Sequence, residues 1–112
     1  MVGENRDAAL FLDMLAYAER AVQVIEGLSF KRYEKDPIRV LALERALEVV
    51  GEAARNISPA RKQEIPDIPW TLLNGQRNVL AHMYGDIDQF RLFRTASEDI
   101  PGLIAMLRKL SA

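Results

Sequence analysis

The chain has 112 residues, with 15 lysines and arginines against 16 aspartates and glutamates, one histidine and no cysteine. That length suits one domain over residues 1–112 with a single core, of a size that often gains stability by assembling. The near-neutral balance weighs against constitutive tight nucleic-acid binding, the lack of cysteine excludes disulfides and thiolate metal sites, and no apolar run reaches membrane-span length. The start "MVGENRDAAL" lacks the basic-then-apolar order of a signal peptide, so a cytoplasmic location is expected.

Periodicity predicts helices and no strand. The first helix covers roughly residues 5–28, with Leu10, Leu15, Tyr17, Ala18, Ala21, Val22, Ile25 and Leu28 recurring near three- and four-residue spacing. Gly27 and "SFKRYEKD" mark a connection. In "DPIRVLALERALEVVGEAARNIS", Asp36 is an N-cap and Pro37 takes the first helical position. This helix is expected to bury Leu41, Ala42, Ala46, Val49, Val50, Ala53 and Ile57 and to turn Glu44, Arg45, Glu48 and Arg55 to water. Glu52 is likewise read as a solvated charge.

Ser58-Pro59 repeats the capping logic for a helix of one or two turns, and the two prolines of "IPDIPW" then break the chain. A third long helix runs from near Trp70 to about Tyr84 and closes at Gly85. Trp70 is expected to pack behind the double-proline turn. Asp86 or Asp88 caps the last helix, which carries Phe90, Phe93, Ile100, Leu103, Ile104, Leu107 and Leu110, and Pro101-Gly102 should kink or split it. The expected architecture is an all-α bundle of four to five helices.

One stretch carries chemistry: "RNVLAHMY", from Arg77 to Tyr84, with the only histidine at position 82. Imidazole is suited to proton transfer near neutral pH, and guanidinium offers a fixed fork of donors for phosphate oxygens. Asparagine can orient an imidazole, and tyrosine can stack or donate its hydroxyl. Together they suit cleavage of RNA by its own 2′-hydroxyl, with no metal or cofactor required. At about 100° per residue, Asn78 and His82 share a helix face, whereas Arg77 and His82 fall about 140° apart. The two meet only if the helix unwinds near His82 or the arginine reaches around. A reaction needing both base and acid also asks for a second imidazole, which a two-fold dimer would supply. Taken singly, His82 is an ordinary helix-end residue and Arg77 an ordinary solvated charge, as are Arg61 and Lys62. Arg91 and Arg94 are also ordinary charges by default, but they are placed to widen a phosphate-binding surface.

The order Arg-x4-His-x-Tyr resembles the signature of the HepT-like proteins of the HEPN superfamily. The resemblance extends through "GEAA", "IPW", Gly75-x-Arg77-Asn78 and "HMYGDID", and covers the chain from about Leu10 to Leu110 at the level of pattern. It implies an up-and-down α-helical bundle, a homodimer with the motif helices at a shared cleft, and a type VII-like toxin–antitoxin system. There the toxin is a metal-independent RNA endonuclease, and its partner is a minimal nucleotidyltransferase antitoxin of the MntA type, which also permits a larger hetero-oligomer. By motif position, Arg77 and His82 would be the catalytic pair, Asn78 a supporting polar residue, and Tyr84 the acceptor of an AMP group that blocks the toxin. A competing reading is a non-catalytic helical dimer that binds nucleotide or docks the nucleotidyltransferase.

Overall fold

The computed structural model describes residues 2–83 and 87–110. Short polar side chains set four of its helix starts. Ser29, Asp36, Ser58 and Asp88 each accept a hydrogen bond from the backbone N–H three residues on, at 3.1–3.3 Å, and so satisfy a donor that the first helical turn leaves over. They open α2 (Phe30–Glu34), α3 (Pro37–Asn56), α4 (Pro59–Glu64) and α6 (Gln89–Arg94). The first helix, α1 (Val2–Ile25), stops ahead of Gly27, whose φ of +74° only glycine adopts freely. The motif helix is α5 (Trp70–His82). After α6 the chain widens into a π turn over Thr95–Asp99 before α7 (Ile100–Leu110). The expected break therefore lies just ahead of Pro101 rather than at it. The missing N–H and the bulk of that ring cannot be fitted into a regular helix, and the wider turn takes up the strain.

α3 lies at the centre. It packs against α1 on one side and α5 on the other, and α7 packs against α1. α1 and α3 run antiparallel. Ser58, just past the end of α3, is bonded to Asp7 near the start of α1, and Arg39 near the start of α3 donates to the Val24 carbonyl at 2.7 Å. Among the described residues every element is helical, as the all-α expectation required. No helix of the described residues is long and apolar enough to cross a membrane.

Burial of α3 departs from the expected stripe. Leu43, Ala46, Leu47, Val50, Gly51, Ala53 and Ala54 are buried, while Leu41 is 64 % exposed, Ala42 is exposed and Val49 half-buried. A helix held between two neighbours buries a wide arc, and the strip left outside carries Ile38, 79 % exposed, and Leu41. On α1, Phe11 and Met14 join the core beside Ala18, Ala21 and Ile25.

The segment expected to be a plain connection contains α2, and its Tyr33 is fully buried. The Tyr33 hydroxyl donates to Gln89 Oε1 at 2.8 Å, and Gln89 Nε2 donates to Glu44 Oε2 at 2.6 Å. Glu44 is thus half-buried and bonded, not solvated. Burial, and then the Glu44 charge, push the Tyr33 hydroxyl above the usual phenol range. Phe30 and Phe93 pack on the Tyr33 ring, and Phe90 sits edge-on to Phe30. This cluster fixes α6 to α2 and α3, and so sets where the chain must return after the motif helix.

Candidate functional site

α5 starts without a side-chain cap, at a proline. Its first turn is held instead by Trp70, which is half-buried, packs on Phe11 with ring centroids 6.4 Å apart, and donates from Nε1 to the Ile65 carbonyl at 3.0 Å. The tryptophan packs behind the double-proline turn, as expected. Leu73 and Leu80 bury the inner face of the helix.

Arg77 emerges beside that inner face. Its position is set by Gly51 on α3: a Cβ there would lie 2.5 Å from Arg77 Cβ and 2.8 Å from the Leu73 carbonyl oxygen. Only a residue with no side chain lets the two helices come this close. The Arg77 side chain is 17 % exposed and turns toward α3 and α1, where Nε lies 2.7 Å from Glu52 Oε2. Nη1 donates to Asn78 Oδ1 at 3.3 Å. Glu52 is itself held one turn on, where Asn56 Nδ2 donates to its backbone carbonyl at 2.9 Å and to Oε1 at 3.3 Å. This group borders a groove of about 320 Å³ between α1, α3 and α5, whose walls include Asp13, Arg45 and Glu48.

The histidine stands apart from this group. α5 remains helical through His82 and ends at Met83, whose N–H donates to the Val79 carbonyl at 2.9 Å. The unwinding that would have brought His82 round to Arg77 is absent up to that point, and Arg77 does not reach across. Asn78 and His82 are both exposed, and the imidazole makes no hydrogen bond to a described residue. Tyr84, with Gly85 and Asp86, lies outside the described residues. Asp88, the alternative cap, opens α6.

Arg91 and Arg94 are exposed on α6. Arg94 is tied to Glu98 at 3.1 Å and lies over the Phe90 ring, whereas Arg91 forms no ion pair among the described residues. Arg91 borders a hollow of about 500 Å³ between α5 and α6, whose lining includes Gly75, Val79 and Met83. Gly75 and Val79 lie within about 60° of His82 around the helix, so Arg91 belongs to the histidine's side of α5. One chain therefore presents two half-sites, Arg77 with Glu52 and the bonded Asn78 on one side and His82 with Arg91 on the other.

Sequence reading takes Glu52 for a solvated charge, although its position on the helix, like that of Arg55, permits it at the cleft. The available signal was Gly51, a poor helix former in the middle of a long helix, which marks close approach of another backbone. Arg55 is exposed, and its carbonyl accepts from Lys62 Nζ at 3.2 Å, so its main chain helps to close the end of α3.

The family model described as ribonuclease HepT-like matches residues 14–110. A Thermococcus cleftensis protein named "Probable ribonuclease HepT" is 35% identical over 102 residues, covering 88% of this chain and 93% of its own. A Methanocaldococcus jannaschii protein named "Putative RNase MJ1380" is 33% identical over 98 residues, covering 87% of this chain and 90% of its own. No solved structure matches.

Proposed function

The chain belongs to the HepT-like ribonuclease family, and from that membership we propose that it is a metal-independent endoribonuclease, the toxin of a toxin–antitoxin pair, with Arg77 and His82 as its catalytic residues and Asn78 in support. The observation that carries this reading is the contrast at the two ends of the motif. The only imidazole of the chain stands exposed in the last turn of α5, bonded to no described residue, about 7.5 Å along the axis from a guanidinium that is already fixed.

His82 takes the proton from the 2′-hydroxyl, and the oxygen attacks the adjacent phosphorus. The bond to the 5′-oxygen then breaks, that oxygen collects a proton from an imidazolium, and a 2′,3′-cyclic phosphate remains. Arg77 stabilises the charge that builds on the phosphorane oxygens. A homodimer completes the site, because Arg77 and His82 leave α5 on opposite sides, and the second imidazole serves as the acid where each chain has one. Arg91 and Arg94 extend the phosphate-binding surface on the histidine side.

The antitoxin is a minimal nucleotidyltransferase that moves AMP from ATP to the Tyr84 hydroxyl, which loses its proton as pyrophosphate leaves the α-phosphorus. The added phosphodiester, two residues from His82, blocks the mouth of the site by bulk and by repelling RNA phosphate. A second reading, a non-catalytic dimer that binds nucleotide or the nucleotidyltransferase, draws on the carboxylates Asp13, Glu48 and Glu52 beside Arg77.

The test is RNA cleavage in chelator by the chain purified without its partner. Wild type should cut, and His82→Ala should lose at least about a hundredfold in rate. Equal cleavage by both would mean a contaminant, and none by either would favour the binding module. Tyr84→Phe should cut like wild type and accept no AMP; continued labelling would place the acceptor elsewhere.

A further inference from the structure

We propose that Glu52 is a positioning residue for Arg77, fixing which edge of the guanidinium a substrate phosphate meets; this rests on the reading of Arg77 as the phosphate-stabilising group. An arginine can grip a phosphate side-on, through Nε and one Nη, or end-on, through both Nη atoms. In this chain the choice is already made. Nε is buried and has no aligned hydrogen-bond partner, and the atom beside it is Glu52 Oε2 at 2.7 Å. A phosphate cannot reach Nε past that carboxylate. Nη1 gives one hydrogen to Asn78, and Nη2 donates to no described residue, so the end-on edge is the one left for substrate.

Three features hold the arrangement. Gly51 seats the root of the Arg77 side chain against α3, so the stem cannot slide. Asn56 holds the far oxygen of Glu52, which orients the near one toward Nε. The approach of Nε to Oε2 is close but out of line for a hydrogen bond, so the pair is held by charge more than by direction. Removing the charge should then matter nearly as much as removing the side chain.

The experiment uses the full-length chain, with Glu52→Gln, Glu52→Ala and Glu52→Asp beside Arg77→Ala, all checked for helical content and melting temperature. Glu52→Gln and Glu52→Ala should each lower kcat about tenfold or more with KM changed by less than about threefold, because a misplaced guanidinium fails in the transition state more than in binding. Glu52→Asp, which keeps the charge, should recover most of the loss. In parallel, the Arg77 Nε–H resonance should be protected from solvent exchange in wild type and in Glu52→Asp, and lose that protection in Glu52→Gln. A rise in kcat/KM in Glu52→Gln would overturn the proposal and make Glu52 a mask that competes with phosphate. Unchanged kinetics in the Glu52 variants, with Arg77→Ala inactive, would overturn it while leaving the catalytic reading intact. Arg77→Ala cutting at the wild-type rate would instead sink that reading. Should no chain cut RNA, the resonance decides: exchange protection unaltered by Glu52→Gln would end the proposal.

Discussion

Asp7 accepts two hydrogen bonds from Ser58, one from its hydroxyl at 2.7 Å and one from its backbone N–H at 3.0 Å. These bonds, the hydroxyl one foremost, hold the Asp7 carboxyl below its ordinary value of 3.8, and the charges of Arg6 and Arg61 add to them. The sign follows from linkage. A depressed folded value contributes stability that is fully present above pH 3.8 and is lost as pH falls through the folded value. Melting temperature should therefore drop on acidification below about pH 4 in wild type. Asp7→Asn should start lower at pH 7, by about 1 kcal/mol for mispaired part-buried donors, and should lose less on acidification. Parallel curves for the two proteins would show that the Asp7–Ser58 contact has no part in the acid limb. Neither this pair nor the Tyr33–Gln89–Glu44 chain was legible in the sequence. Their partners stand 51, 56 and 45 positions apart, and local spacing carries no trace of such contacts. Arg77 and His82, the proposed catalytic pair, stand five positions apart, so their association is a local pattern that the sequence displays.

At the scale of elements, the two glycines on or facing the motif helix should respond in opposite directions. A Cβ at Gly51 would meet backbone and the root of Arg77, neither of which is the free end of a flexible side chain, so α5 would have to lift from α3. Gly51→Ala should cost about 1–3 kcal/mol and lower cleavage by moving Arg77. Gly75, inside α5, has nothing within 4 Å of where its Cβ would be, so Gly75→Ala should add about 0.5–1 kcal/mol through helix propensity alone. Urea unfolding of both variants checks the pair, and equal destabilisation would show that helix approach at Gly51 is not what sets the cost. Helix ends were the legible part of the fold, because caps and prolines act within three or four residues: Asp36-Pro37, Ser58-Pro59 and Asp88 all act where the sequence places them. The buried arc of α3 was less legible. Periodicity finds one apolar face, whereas a central helix with neighbours on two sides buries Leu43 and Leu47 and leaves Leu41 outside. The five-residue α2 was missed for a related reason, since a single turn has too few positions to show a period.

At the scale of the whole molecule, the placement of Arg77 and His82 constrains how a site can be completed. α5 is regular from Trp70 to His82, so the two side chains leave it about 140° apart, and Arg77 is committed to Glu52 on the far side. A single phosphate that touches both groups must then take one from each of two chains. Mixed dimers test this. Arg77→Ala and His82→Ala chains, carrying different tags and refolded together, reassort so that about half of the dimers hold one of each. Such a dimer keeps one intact Arg77 and one intact His82 on opposite chains. If the site is built across the two-fold, each parent homodimer should be down at least about a hundredfold, and the mixed dimer, purified through both tags, should cut at least about tenfold faster than either parent, short of wild type because it holds one imidazole. If each chain works with its own arginine and histidine, every site in the mixed dimer lacks one group, and it should be as inactive as its parents. A wild-type chain that elutes as a monomer at the concentrations where it cuts RNA would remove the shared site altogether.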